Sequence, residues 1–162
     1  MTPARFAHYR ATSVAEYAQE KVRAGQWSAA ESLALSEAEF TRLLPQGLAT
    51  PDQHLFDLCT GPGPDAAVVG MLWWGRQMRA GRPCAFVFDI IVLPGHEGLG
   101  HASRAFGLME QAVRQRGLAG IGLHVFGHNP RARALYERLG FQATSVQMFK
   151  PLSAETPPAM PG

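Results

Sequence analysis

Hydrophobic and polar positions recur with a helical period near both ends of the chain and with a strand-like pattern in its middle. At the start, the pattern predicts a short strand over Arg5–Arg10, followed by two amphipathic helices. The first helix is expected to begin at a capping box of Ser13 and Glu16 and to end at Gly25. A second box predicts the next helix within residues 28–45.

The middle of the chain is rich in β-branched and aromatic residues. Three segments are predicted to be strands: His54–Thr60, Val68–Gln77 and Pro83–Leu93. Gly-Pro-Gly-Pro at 61–64 and Arg-Ala-Gly-Arg at 79–82 separate them as turns. This spacing predicts a three-stranded antiparallel meander.

The last third alternates between helix and strand. A helix is predicted over 101–116 and a buried strand over Gly120–Phe126. Asn129 and Pro130 are good first residues for another helix, and Phe141–Lys150 is predicted to be a final strand. The order αα-βββ-αβαβ predicts an α/β (α+β) protein with a central mixed, mostly antiparallel sheet flanked by helices.

Length and composition limit the classes of protein that need considering. The chain has 162 residues, which fits one domain over residues 1–150 with a flexible Pro-rich tail at 151–162. Fifteen Lys and Arg against thirteen Asp and Glu give a net charge of +2, so neither a nucleic acid nor a membrane partner is expected.

Cysteine usage and the first residues bear on the compartment. Cys59 and Cys84 lie in separate apolar stretches and are expected to be buried free thiols, and no spacing indicates a metal site. MTPARFAHYR contains no apolar stretch of the signal-peptide type, so we expect a cytoplasmic protein.

A glycine-rich loop carries the chemistry that the residues themselves indicate. A strand ends at Pro94, glycines follow at 98 and 100, and a helix opens directly afterwards. Such a loop turns its backbone N–H groups toward one point beside the positive end of the helix dipole, which favours an anion such as phosphate. No Gly-Lys-Ser/Thr follows, and the glycine spacing does not fit a Rossmann fingerprint, so neither of those nucleotide sites is predicted.

Two parts of the chain, the loop Val92–Ala102 and the stretch from Leu123 to Phe141, carry motifs that resemble those of the GNAT superfamily of N-acetyltransferases. Val92–Ala102 (VLPGHEGLGHA) is similar to the family's acetyl-CoA loop, which follows a V-x-P strand end and reads Q/R-x-x-G-x-G/A. The second motif is Leu123–Asn129 with the later Leu135-Tyr136 and Gly140-Phe141, and the resemblance spans about Leu55 to Lys150. Two N-terminal segments, YAQEKVRAGQW and LLPQGLATP, are similar to segments of one bacterial branch of the family, many of whose members have no assigned substrate. The resemblance implies a GNAT fold whose strands splay around the acyl-CoA.

The resemblance also implies a reaction and a set of binding residues. The reaction is transfer of an acetyl group from acetyl-CoA to a primary amine of a small molecule or peptide, by direct attack in a ternary complex, without a metal. The family's pyrophosphate contacts map to Gly98, Leu99, Gly100, His101, Ala102 and Ser103, and its pantetheine contacts to Ile90, Ile91, Val92, Asn129 and Tyr136. Homodimers are common in the family, so a dimer is a further expectation.

Three side chains are candidates for proton transfer. Tyr136 matches the family tyrosine near the sulfur and is the candidate general acid, while the Val92 N–H matches the usual donor to the carbonyl oxygen. For the general base, His124 and Asp89 stand about equal. His124 would titrate near neutrality, and Asp89 lies inside an apolar strand, where it is either a base of raised pKa or a structural hydrogen-bond acceptor.

One position departs from the family pattern, because Glu97 occupies the Q/R place of the loop. A carboxylate beside a pyrophosphate is unfavourable, so we expect weakened acetyl-CoA binding. Two other functions remain open from the sequence: a non-catalytic acyl-CoA-binding module, used as a sensor or partner domain, and a nucleotide-binding domain.

Overall fold

The structure is a computed structural model that describes residues 1–63, 65–150 and 152. The predicted flexible tail, apart from Leu152, lies outside the described residues. In chain order the elements are α1 Pro3–Arg23, α2 Ser32–Leu43, a 3₁₀ turn Gly47–Ala49, β1 Gln53–Cys59, β2 Val68–Arg79, β3 Arg82–Val92, α3 His101–Gln115, β4 Ile121–Leu123 and α4 Pro130–Arg138.

Helix α1 begins much earlier than predicted, so the short strand over Arg5–Arg10 and the capping box at Ser13 are wrong. The side chain of Thr2 accepts a hydrogen bond from the Arg5 N–H at 3.3 Å, and Pro3 occupies the first helical position. A threonine cap followed by proline is preorganised for a helix start, and it places Ser13 in the helix interior.

The end of α1 is as predicted. Gly25 has a φ of +67°, and its N–H bonds to the Val22 carbonyl while the Gln26 N–H bonds to the Lys21 carbonyl. This Schellman motif requires a left-handed residue, which glycine supplies without strain.

Helix α2 starts at Ser32, four residues after the predicted capping residue Ser28. The Ser28 hydroxyl does bond to the Glu31 carboxylate at 2.7 Å, but this pair closes a turn before the helix begins at Ser32. The fully buried Ser36 of α2 donates a hydrogen bond to the Val14 carbonyl at 2.7 Å, which ties α2 to α1.

The four strands form one mixed sheet in the order β1-β2-β3-β4. The predicted antiparallel meander of β1, β2 and β3 is confirmed, and β4 pairs with β3 in parallel. The predicted strand over Gly120–Phe126 is reduced to the three residues of β4.

The predicted final strand over Phe141–Lys150 is wrong. Residues 141–150, all of which are described, form no regular secondary structure. The side chains of Val146, Met148 and Phe149 are 72%, 89% and 85% exposed, so this stretch buries little apolar surface that could offset the entropy of ordering a strand.

Each face of the sheet packs against its own pair of helices. Side chains of α1 and α2, including Tyr9 and Phe40, form one core cluster with Met71 and Trp73 of β2. Side chains of α3, including Phe106, form the other cluster with Val87 of β3, and Tyr136 of α4 packs against it. We call these the α1 face and the α3 face of the sheet.

Two findings concern the expectations about the cysteines and about membranes. Both cysteines are free thiols, but Cys59 is exposed rather than buried, and Cys84 is half-buried. In the part of the chain that the structure describes, no helix combines the length and the apolar character needed to cross a bilayer.

Replacement of Phe106 tests the α3 face. Its side chain is 0% exposed, so Phe106→Ala is expected to lower the free energy of unfolding by about 3–5 kcal/mol because it leaves a cavity. On the same helix, Leu108 is 68% exposed, and Leu108→Ala should change stability by less than about 0.5 kcal/mol. Urea denaturation measures both, and equal losses would contradict this packing.

Candidate active site

The site forms where β3 and β4 part. Their parallel pairing covers only three residue pairs, from Ala85 with Ile121 to Val87 with Leu123. β3 continues to Val92 and stays paired with β2, so among the described residues no strand lies beside the edge of β3 from Phe88 to Val92 on the β4 side. This open edge can accept an extended ligand by the same backbone hydrogen bonds that a strand would make.

A β-bulge sits at the point where the strands part. Val87 pairs with Trp74 and Asp89 pairs with Trp73, so Phe88 is an extra residue on β3. Val87 packs on the α3 face, and simple alternation would also direct Asp89 there. Because the bulge inserts one residue, Asp89 instead points to the α1 face, beside Trp73.

On the α1 face, the carboxyl group of Asp89 meets a tyrosine. The Tyr9 hydroxyl donates a hydrogen bond to Oδ2 of Asp89 at 2.9 Å. Burial raises the pKa of Asp89 to about 6, the negative charge of Glu16 adds to this, and the hydrogen bonds from Tyr9 and from the Ile90 backbone oppose it. Burial, followed by the charge of Asp89, raises the pKa of Tyr9 well above its ordinary value, so the hydroxyl stays a donor.

The open edge of β3 contains the three residues that were predicted to contact pantetheine. The Leu93 N–H bonds to the Val69 carbonyl of β2 at 2.8 Å. Since alternate residues of an antiparallel strand direct their amides to opposite sides, the N–H groups of Ile90 and Val92 face away from β2, toward the open edge. Val92 therefore has the orientation that its predicted role as donor to a carbonyl oxygen requires.

The predicted pyrophosphate residues form the loop after β3 and the first turn of α3. Gly98 and Gly100 have φ values of +75° and +79°, and the space in front of both is open. Gly100 is the N-cap of α3 and supplies no capping side chain, and the first intrahelical bond runs from the Arg104 N–H to the Gly100 carbonyl. The N–H groups of residues 101–103 are therefore available to an anion at the positive end of the helix.

Tyr136 lies on α4 and packs against aromatic rings of the α3 face. Its ring is 5.7 Å from that of Phe106 and 5.8 Å from that of Phe141, both in edge-to-face contact. Burial and then the nearby charge of Asp89 raise the pKa of Tyr136, so its hydroxyl is protonated at neutral pH. The two groups therefore share one electrostatic environment although they belong to opposite faces of the sheet.

His124 follows the last residue of β4 and is exposed. Partial burial, followed by the positive charge of Lys21, lowers the pKa of His124 below 6.5. The imidazole is thus neutral at pH 7 and able to accept a proton. It differs from Asp89 in that no described side chain makes a hydrogen bond to its ring.

The other predicted contact, Asn129, caps α4. Its Oδ1 accepts a hydrogen bond from the Ala132 N–H at 3.0 Å, which leaves the amide NH₂ group to contact a ligand.

Charged groups at the loop form a pair that the sequence did not indicate. The Glu97 carboxylate lies 3.7 Å from the guanidinium of Arg131 at the start of α4. Arg104 turns back on the loop and donates to the Leu99 carbonyl at 3.0 Å. Glu97 therefore both places a negative charge at the mouth of the site and engages a cation that could otherwise face a phosphate.

Helix α1 contributes functional candidates that the sequence-based interpretation missed. Tyr9 bonds to Asp89 near one end of the gap, and Glu20 bonds to His128 near the other. The ammonium of Lys21 lies 5.9 Å from the centroid of the Phe126 ring. A signal for these candidates was present in the sequence, because Thr2 followed by Pro3 is a favourable helix start. A helix that begins there includes Tyr9 as well as Glu16.

Comparison with known proteins points to one family. The Acetyltransferase (GNAT) family matches residues 20–141. The uncharacterized N-acetyltransferase YycN of Bacillus subtilis (strain 168) is 39% identical over 152 residues, or 94% of this chain and 96% of that protein. The crystal structure of YycN superposes with a TM-score of 0.84 over 94% of this chain and 95% of the other.

A second B. subtilis protein, the uncharacterized N-acetyltransferase YdgE, is 26% identical over 152 residues, which are 94% of this chain and 95% of that protein. Together with the mixed sheet, these matches confirm the fold that the two motifs predicted.

Removal of the Glu97 charge tests its expected effect on cofactor binding. Glu97→Gln frees Arg131 and removes a repulsion, so the Kd for acetyl-CoA should fall by up to about fivefold at low salt. The gain should shrink at high ionic strength, where exposed charges are screened.

Calorimetry measures this change in Kd. Glu39→Gln, which removes a carboxylate from the exposed pair with Arg42 on α2, is the matched control and should leave the Kd unchanged. An unaltered Kd for Glu97→Gln would contradict the proposed penalty.

Proposed function

This chain belongs to the acetyltransferase (GNAT) family, and we propose that it transfers the acetyl group of acetyl-CoA to a primary amine by direct attack in a ternary complex. The observation that carries the proposal is the open edge of β3, which leads directly to the uncapped first turn of α3. An extended thiol arm fits such an edge, and a pyrophosphate fits such a helix start.

The residues that would hold acetyl-CoA are those of the edge, the loop and the first turn of α3. Ile90, Ile91 and Val92 would face the pantetheine arm with Asn129 beside it. The pyrophosphate would lie on the amides of Gly98, Leu99, Gly100, His101, Ala102 and Ser103. When bound, acetyl-CoA supplies an acyl thioester that a neutral amine attacks, so that a C–N bond forms as the C–S bond breaks.

The protein groups around the gap suit the charges that develop in this reaction. The Val92 N–H is placed to donate to the carbonyl oxygen as it becomes negative. Tyr136 is protonated at neutral pH and would supply the proton that the leaving thiolate needs. Asp89 would accept the proton that the attacking amine loses.

We favour Asp89 over His124 as the general base because of its environment. With a pKa of about 6, the Asp89 carboxyl is mostly ionised at neutral pH, yet it is far more basic than an ordinary aspartate. The neutral imidazole of His124 can also accept a proton, but it is exposed and its ring is not held by a hydrogen bond from a described side chain. A base gains most from a position fixed before the substrate binds.

Release of free thiol from acetyl-CoA across a panel of amines tests the function, with Tyr136→Phe as the decisive variant. Its ring keeps the contacts with Phe106 and Phe141, so the fold and the Kd for acetyl-CoA should be preserved. The value of kcat should fall by about 100-fold or more because the proton donor is lost. Tight binding of acetyl-CoA without thiol release from any amine would favour the non-catalytic binding module instead.

The choice of base is tested by two substitutions measured side by side. Asp89→Asn is expected to reduce kcat/KM by about 100-fold and to remove the acidic limb of the pH profile near pH 6. His124→Gln should lower kcat/KM by less than about threefold and keep that limb. The reverse result would assign the base to His124.

A further inference from the structure

We propose that Tyr9 is a positioning residue for the general base, with its hydroxyl orienting the Asp89 carboxyl group and controlling when that group takes up a proton. This inference rests on the proposed function, because it assigns a partner to the base of that reaction. Tyr9 lies outside the two motifs and has no role in the assignment of the site from them.

The geometry of the contact is well suited to orienting a carboxyl group. The Tyr9 hydroxyl donates to Oδ2 of Asp89 at 2.9 Å across two elements that are 80 residues apart in sequence. Among the described side chains, Tyr9 is the one that donates to the Asp89 carboxyl group, and the other donor beside the group is the Ile90 backbone N–H. The hydroxyl thus fixes the position of Oδ2, and the plane of the carboxyl group follows from it.

Tyr9 is itself held firmly enough to act as a fixed donor. Its side chain is 6% exposed and belongs to the core cluster of the α1 face. Its ring lies 6.3 Å from that of Phe40 in a tilted contact, and Phe40 in turn packs against Trp73 at 5.6 Å. Because packing fixes the ring, the direction of the hydroxyl is set before any substrate binds.

The hydroxyl is a poor choice for a purely structural position. Phenylalanine would fill the same apolar space, and a buried hydroxyl without a partner is costly. Here the hydroxyl has a carboxylate partner because the bulge at Phe88 turns Asp89 toward α1. The polar pair is therefore produced by the same irregularity that opens the edge of β3.

The charged and titratable groups facing Asp89 predict what happens when the hydroxyl is removed. Among the described residues these are Tyr9 and Glu16 of α1 and Tyr136 of α4, in addition to the Ile90 backbone N–H. Burial and Glu16 both favour the protonated carboxyl group, whereas the hydrogen bond from Tyr9 favours the ionised form. Without the hydroxyl, the pKa of Asp89 must rise above about 6.

The test is Tyr9→Phe, followed by two measurements. In carbon-13 NMR of the labelled aspartates, the titration midpoint of Asp89 should lie about one pH unit higher in the variant than in the wild type. The ratio of variant to wild-type kcat/KM should fall about tenfold near pH 5 and about fivefold near pH 6, and return to within about twofold near pH 8.5.

The matched control is Tyr17→Phe, the same chemical change two turns further along α1. The Tyr17 ring packs edge-to-face on Trp27 and Phe40, and its hydroxyl makes no hydrogen bond to a described residue. It should move neither the Asp89 midpoint nor the pH profile. In an Asp89→Asn background, Tyr9→Phe should add less than about a twofold further loss, because both changes act through one group.

Two results would overturn the inference. One is an equal loss of kcat/KM at every pH with the Asp89 midpoint unchanged, which would make Tyr9 a packing residue. The other is a full additive loss in the Asp89→Asn background. Absence of acetyl transfer by the wild type would instead refute the proposed function, and the NMR midpoint would still decide whether Tyr9 controls the Asp89 proton.

Discussion

The arrangement of the site depends on one extra residue in β3. Phe88 interrupts the regular pairing with β2, and the parallel pairing with β4 ends at the residue just before it. A bulge increases local twist and bends its strand. The same insertion therefore opens a backbone edge, reverses the face to which Asp89 points and leaves the Val92 N–H directed into the gap.

This arrangement has an energetic cost that the fold must offset. The pKa of Asp89 is about 6 in the folded chain against 3.8 for the ordinary group, so the folded state binds a proton over a pH range where the unfolded state releases it. The free energy of unfolding contributed by this group therefore falls as pH rises through that range. Hydrogen bonds from Tyr9 and from the Ile90 backbone limit the loss, and the buried clusters on the two faces supply the remaining stability.

The sequence predicted the parts of the fold that local signals determine. The meander followed from β-formers between glycine-rich turns, and α4 followed from Asn129 and Pro130. The anion loop was recognisable because Gly98 and Gly100 precede a helix, which is a local arrangement. The start of α1 was missed although its signal, Thr2 followed by Pro3, is local. Two other errors lie where tertiary context decides: residues 141–150 have a strand-like pattern but pair with no strand, and the bulge at Phe88 has no signature in FVFDIIV. No single-sequence pattern could therefore reveal which face Asp89 occupies.

In the proposed reaction, the two faces of the sheet divide the acid–base chemistry between them. Tyr136 belongs to the α3 face, where burial among Phe106 and Phe141 keeps its hydroxyl protonated. Asp89 belongs to the α1 face, where it is ionised at neutral pH and held by Tyr9. A flat, fully paired sheet would separate these groups by its own backbone, and neither could reach a common substrate. Because β3 and β4 part at Val87, the gap between them connects the two faces. A proton acceptor on the α1 face and a proton donor on the α3 face can then act on one substrate in the proposed reaction.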